Sequence, residues 1–424
     1  MMIGEEYNRN NARQRVIGAL FALLTLSFAI VFLTFAFRNI KTIISDCRNI
    51  YYCLDYNFIN RQTDEDVETR GNRLKVNYQA FANYLLSECS LRNSCKSYMI
   101  DVYGLTVKCL GLYKPVPYSA IVRLTNNQLS YYRCDDDDDI DKYAHTLIDF
   151  KTYLARQNIA FVYVQAPYKI YKYQPALPQG IVDNNNQLFD RMLNVAGKEV
   201  SVIDMREYFK SSPEKHYDLF YPGDSHWKLE YAFIAAQQIM KRLHDNYSYV
   251  IDPIVNDFDN YELVISDEKR NNISQNVGNF YFSADEEREQ FLVPKFKTEI
   301  TIIEDSDKYQ GVYNPHLLYS VKFKKYIKNS NAVNRKKVLF LGDSFSPQVM
   351  SCLTLHFSEI EYQALNSYDG NIFEEIEKFN PDLVVLLLTA GIVDMHIPGK
   401  PAPNTKRYFE MLVPPKEKDS NQVK

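Results

Sequence analysis

The sequence predicts an α/β fold, with a mostly parallel sheet flanked by helices. Three observations carry that expectation. From Asp141 to Leu388, short apolar strand patterns alternate with longer amphipathic helical ones. The strand patterns include the unbroken apolar run Leu383 to Leu388, which suits a strand covered on both faces. Two junctions leading into helices also place hydroxyl, imidazole and carboxylate side chains at the sheet edge where α/β proteins bind ligands.

The elements follow in order. Ser119 to Leu124 and Gln128 to Tyr132 read as strands joined at Asn126-Asn127, a turn signal. The acidic run Asp135 to Asp139 lacks the alternating spacing and glycine of a calcium loop and reads as a solvated linker. Asp141 to Gln157 is a helix with Tyr143, Leu147, Phe150, Tyr153 and Leu154 on one side, and Ile159 to Val164 is a buried strand. Asn186 to Val195 (helix), Val200 to Ile203 (strand) and Lys228 to Leu243 (helix) continue the alternation. It resumes with strand Lys337 to Leu341, helix Pro347 to Phe357, strand Glu359 to Ala364, helix Ile372 to Phe379 and strand Leu383 to Leu388. Residues 245–335 interrupt the pattern. They are polar and Asn-rich and read as an insertion, placed as a lid or recognition segment over the sheet's end.

Upstream lies a different kind of sequence. Val16 to Phe37 is a run of 22 residues without charge or proline. At ~1.5 Å per residue it spans a ~30 Å hydrocarbon core. It is longer than the apolar core of a signal peptide, although Thr34-Phe35-Ala36 would serve as a cleavage site. The expectation is an uncleaved transmembrane anchor with residues 1–15 as a cytoplasmic tail and the rest exported. Cys47, Cys53, Cys89, Cys95, Cys109 and Cys134 cluster after it, with Cys352 alone elsewhere. Without a Cys-x2-Cys pair they suggest disulfides in a Cys-rich accessory region, 38–118, preceding a domain over 119–415.

Composition limits the function classes. The 424 residues carry a net charge of −4, and no basic stripe favours a nucleic-acid partner. Aromatic residues make up 14%, with 33 Tyr and one Trp, which suits either a glycan-facing surface or a Tyr-rich core. His145, His216, His244, His316, His356 and His396 have no metal-ligand spacing with acidic or Cys neighbours, so neither a metal nor another cofactor is expected.

The chemistry concentrates in two segments. In Leu341-Gly342-Asp343-Ser344-Phe345-Ser346 a serine sits between a strand and a helix, with Gly342 permitting a tight turn. The helix start offers N–H groups and a positive dipole end to an oxyanion. A serine there could equally be a helix cap. In Gly223-Asp224-Ser225-His226-Trp227, an Asp two residues before a His lies on the same side of an extended stretch. The carboxylate can then hold the imidazole Nδ1–H while Nε2 faces a nucleophile.

These segments resemble the SGNH-hydrolase-like proteins of the DHHW and alginate O-acetylation type. In that family too the Asp–His pair precedes the serine. The likeness includes Phe161 to Lys169 as a strand-Pro-x-Lys block, Val202 to Arg206 and Pro381 to Val385, within roughly 120–395. It departs at Ser225, where the family motif has a second histidine. The resemblance implies an SGNH-like, flavodoxin-like sheet with Ser344 as nucleophile, His226 as general base and acid, and Asp224 as its orienting partner. Trp227 would pack beside the site, and Lys169 is a candidate substrate contact. Asn366, Tyr368 and Gly370 are oxyanion or substrate candidates. Asp343 would shape the turn through backbone N–H groups. The implied activity is O-acetyl transfer to a cell-surface or secreted polysaccharide, with the acyl donor delivered by a membrane export partner. The triad residues leave hydrolysis by an esterase of the same fold, and a silent glycan-binding role, open.

Overall fold

The computed structural model describes residues 121–133, 139–270, 287–304, 307–319, 325–389 and 404–415, with isolated positions between 101 and 111 and between 273 and 282. The chain divides into two units, 1–110 with 277–281 and 111–276 with 282–424; every element named below belongs to the second.

Strands β1 (Ile121–Arg123) and β2 (Leu129–Tyr131) pair as a hairpin. Asn127 turns the chain with φ at 63°, a left-handed conformation that Asn tolerates. Helix α1 (Ile140–Arg156) buries Tyr143, Leu147, Phe150 and Leu154 along one face, and Phe150 meets Phe161 edge-on at 5.3 Å. Strand β3 (Ala160–Ala166), helix α2 (Asn185–Ala196) and strand β4 (Ser201–Asp204) follow, then α3 (Pro213–Asp218) and the long α4 (Leu229–Tyr247). The next segment supplies β5 (Tyr261–Lys269), β6 (Arg288–Pro294), β7 (Glu299–Glu304), β8 (Asp307–Val312), α5 (Pro315–Tyr319) and β9 (Lys325–Lys328). The chain then runs through β10 (Asn334–Gly342), α6 (Ser346–Leu353), β11 (Phe357–Ala364), α7 (Ile372–Phe379), β12 (Leu383–Thr389) and α8 (Asn404–Met411).

Eight strands form one sheet in the order β4-β3-β12-β10-β11-β9-β7-β8. The first five are mutually parallel, and β9, β7 and β8 extend the sheet antiparallel. Every residue of β12 is buried, as the central position of its strand requires. Counted cyclically from β10, the parallel half β11-β10-β12-β3-β4 has the strand order 2-1-3-4-5, a doubly wound order whose switch point lies between β10 and β12.

Several expectations need correction. The sheet is mixed. Part of the segment expected to lie over the sheet's end instead prolongs it: β7 and β8, only two residues apart in the chain, pair as an antiparallel hairpin, and β9 joins β7 to β11. Helix α6 stops at Leu353 rather than Phe357, because Phe357 pairs with Asn334 as the start of β11. The fold class also included a transmembrane helix and a Cys-rich region. Among the described residues no helix is long and apolar enough to cross a membrane. The longest, α4, buries one face and carries Glu230, Lys241 and Asp245 on the other. Residues 16–37 lie outside the described residues, as do Cys47, Cys53, Cys89, Cys95 and Cys134; Cys109 and Cys352 are free thiols. The membrane anchor and the single-pass localisation are therefore withdrawn, and the disulfide expectation falls on cysteines outside the described residues, apart from the free Cys109.

Candidate active site

The Asp–His segment lies on a loop that the chain closes upon itself. Phe220 and Trp227 form an antiparallel bridge, the Tyr221 N–H donates to the His226 carbonyl at 3.3 Å, and the Lys228 N–H donates to that of Leu219 at 2.7 Å. Lys169, fully buried, fills the loop from beneath. Its ammonium donates to the carbonyls of Leu129, Tyr221, Pro222 and Asp224 at 2.5–3.1 Å. The substrate-contact candidate of the sequence thus touches the backbone that carries Asp224. Lys228, not Asp224, precedes α4 as its N-cap residue, so the Asp224 carboxylate is not spent on capping.

That carboxylate is buried and fully engaged. Oδ1 accepts the His226 Nδ1–H at 2.8 Å and the His226 backbone N–H at 3.3 Å. Oδ2 accepts from Arg270, through Nε at 2.8 Å and Nη2 at 2.7 Å. Burial alone would raise this carboxyl, but the imidazole of His226 and the guanidinium of Arg270 outweigh it and hold the group well below the usual carboxylate range.

The serine arrives from the opposite side. Strand β10 ends at Gly342, where a Cβ would stand 2.4 Å from that of Ser346 and 3.0 Å from the Leu387 carbonyl; the turn has room only for hydrogen. The Asp343 carboxylate accepts N–H groups of Phe345 at 2.9 Å and Thr389 at 2.6 Å, tying the turn to the end of β12. Its burial raises the carboxyl's pKa. Ser346 caps the turn, its hydroxyl bonded to the Asp343 carbonyl and 3.0 Å from the Tyr362 hydroxyl. Half-buried Ser344 is left with its Oγ 2.9 Å from His226 Nε2. Ser344, His226 and Asp224 thus form one continuous hydrogen-bonded chain, in which Nε2 can take a proton from Oγ while Nδ1–H stays on the carboxylate. Buried Trp227 and Phe345 pack at 5.3 Å, and Phe345 lies 5.0 Å from the His226 ring.

Asn366, Tyr368 and Gly370 follow the carboxyl end of β11, on the same sheet edge as Ser344. Asn366 and Tyr368 bond to helix α8: the Asn366 side chain accepts from the Tyr408 hydroxyl at 2.5 Å, and the Tyr368 carbonyl accepts from Arg407. Gly370 packs over the Tyr368 ring. Among the described residues no group of three or more His, Cys, Asp or Glu could hold a metal ion.

Sequence reasoning missed Arg270, Glu287 and Glu289. The Arg270 guanidinium also bonds Glu289 and lies 4.5 Å over the Tyr221 ring, and the Glu287 carboxylate accepts the Gly223 N–H at 2.6 Å. Burial raises both glutamates' pKa values. The one local clue was a cluster of charges in an otherwise strand-like stretch.

Residues 126–253 match the family model described as the SGNH hydrolase-like domain of acetyltransferase AlgX. Over those residues the chain is similar to an SGNH hydrolase-like domain. The resemblance to the DHHW and alginate O-acetylation type, drawn from the residues alone, is borne out by that match. The fold is shared with PatB1 of Bacillus cereus, at 21% identity and a TM-score of 0.54, over 65% of this chain and 98% of that one. PatB1 with a sulfonyl adduct matches at 20% identity and 0.53, over 65% and 96%. No curated protein matches the sequence.

Proposed function

We propose that this SGNH-like domain is a serine-dependent O-acyltransferase, most simply an O-acetyltransferase, acting on a polysaccharide hydroxyl. One observation carries the reading: the Ser344–His226–Asp224 relay, with links of 2.9 and 2.8 Å. In the first half-reaction Ser344 Oγ bonds to the acyl carbon and its proton passes to His226 Nε2. The carbonyl π electrons move to oxygen and return as the donor's leaving group departs with that proton. In the second half-reaction a sugar hydroxyl attacks the acyl-serine, passes its proton to Nε2, and Ser344 leaves with it. Asp224 orients the ring and balances the imidazolium charge. The Phe345 and Ser346 N–H groups are committed to Asp343, which leaves the Ser344 N–H, just before α6, as the backbone donor for the developing oxyanion in this reading. Asn366, Tyr368 and Gly370 remain candidates for the acceptor side of that edge.

The family match names an acetyltransferase, and a protein of this fold, PatB1, is found with a sulfonyl adduct. A sulfonyl fluoride probe and an activated acetyl ester, with and without an oligosaccharide acceptor, test the proposal. Labelling of the wild type but not of Ser344→Ala, together with acceptor-dependent formation of acetylated sugar, is expected. Ester hydrolysis indifferent to acceptor would mean an esterase. Absence of labelling would remove Ser344 as nucleophile.

A further inference from the structure

Arg270 stands 46 residues from Asp224 and reaches it from the end of β5, opposite β6. These two strands form a separate sheet, an arm that the central eight strands do not need for pairing. Yet the arm grips the Asp–His loop at several points. Arg270 bonds Asp224 Oδ2 through two nitrogens, its guanidinium covers Tyr221, and Glu287 takes the Gly223 N–H. Arg270 is itself held, by Glu289 on Nη1 and by the Glu287 carbonyl, which accepts its backbone N–H at 2.7 Å.

A carboxylate can turn about its Cβ–Cγ bond, and only one orientation serves a histidine. Here Oδ1 holds both His226 donors, and Oδ2, on a side chain only 2% exposed, has the guanidinium. Without it, a buried carboxylate oxygen would lose its charged partner, and rotation or protonation would relieve the cost.

We infer that Arg270 is a positioning residue for the Asp224–His226 pair, its guanidinium locking the carboxylate so that Oδ1 faces Nδ1. The inference deepens the acyl-transfer reading and rests on it. It also gives the β5–β6 arm a role, since the arm carries the part of the relay that the central sheet does not supply.

The charged and titratable groups around Asp224 are His226, Arg270, Lys169, Glu287, Glu289, Tyr131 and Tyr221. Removing the Arg270 charge leaves Asp224 beside two glutamates. That raises the Asp224 carboxyl, which Arg270 helps to hold down, and moves the acidic limb of the kcat/KM profile to higher pH.

The test uses the full chain and an activated acetyl ester. Arg270→Gln should lower kcat about 100-fold, change KM little, and raise the acidic limb by about one pH unit. Arg270→Lys keeps the charge without the planar fork. It should leave the limb near its wild-type place while kcat stays about tenfold low. If Arg270→Gln does not fold, Arg270→Lys decides: a wild-type kcat in it overturns the inference. Wild-type kcat and pH profile in both variants would refute the positioning role and leave the serine reading standing. A wild type without turnover or labelling would instead remove the reading beneath it.

Discussion

Replacing Lys169 with Met tests whether the Asp–His loop is preorganised by a buried cation. The ammonium contacts four carbonyls. Two of those carbonyls keep other donors: Tyr221 has the Asp224 N–H at 3.2 Å, and Pro222 has the Leu129 N–H at 2.8 Å. The principal loss therefore falls on the Leu129 and Asp224 carbonyls. At about 1–3 kcal/mol for each buried acceptor left unpaired, the gross cost is roughly 2–6 kcal/mol. Relief from burying a cation opposes it. Burial pushes the Lys169 ammonium down to about 7, against the raising influence of Asp224 and Glu287. A net destabilisation of about 3 kcal/mol is expected, within the range for breaking a buried polar network. Urea unfolding at pH 7, followed by far-ultraviolet circular dichroism, measures it. The kcat for acetyl-ester turnover should fall by at least about tenfold in the folded fraction, because the loop sets the Asp224–His226 geometry. A variant within about 0.5 kcal/mol of wild type, with unchanged kcat, would show that the cradle is incidental.

Other perturbations bear on neighbouring atoms. Asp224→Asn should lower kcat by about 10⁴-fold, as a wrong histidine tautomer does in a serine triad, measured by single-turnover acylation. The same variant checks a linkage. The Asp224 carboxyl is depressed in the fold, so it contributes stability above its unfolded value of 3.8, lost as pH falls through the folded one. The wild type should lose urea stability below about pH 4 more steeply than the variant does. Gly342→Ala places a Cβ 2.4 Å from that of Ser346 and should cost about 1–3 kcal/mol, read as a fall in thermal midpoint, with slower acylation as the turn shifts. Ser344→Ala, at a half-buried position whose hydroxyl bonds His226, should fold with stability within about 0.5 kcal/mol of wild type while losing sulfonyl labelling.

What the sequence disclosed was local. The Asn126-Asn127 turn, the apolar run of β12 and the extent of α7 each depend on residues adjacent in the chain, and each lies where the pattern put it. Ser344 at the end of β10 was legible because a strand, a glycine and a helix start are all short-range signals. Asp343 was legible too, since its carboxylate bonds the Phe345 N–H two residues on. Arg270 was not. Its partner is 46 residues away, and no periodicity singles out an arginine at a strand end. Lys169 could be found but not understood, because a lysine in a loop gives no sign that four carbonyls surround it. The antiparallel extension was hidden for a related reason. Strand patterns reveal that a segment pairs, whereas the choice of β11 as neighbour to β9 is made by the fold as a whole.

The order of the chemistry along the chain follows from the topology. With β10 as its first strand, the parallel half of the sheet has the doubly wound order, and its third and fourth strands are β12 and β3. Those two pair over seven residues, from Leu383 with Ala160 to Thr389 with Ala166, although they lie at opposite ends of the domain's sequence. The Ser344 turn is tied to β12 through Asp343 and Thr389, and the Asp–His loop rests on Lys169, just beyond β3. The seam between β12 and β3 therefore joins the supports of the nucleophile and of its base. A relay defined by geometry is indifferent to which half the chain makes first, so the Asp–His pair can precede its serine by more than a hundred residues and still lie within 2.9 Å of it. Such long-range pairing is expensive to close, and folding of the relay should be coupled to formation of this seam rather than to either loop alone.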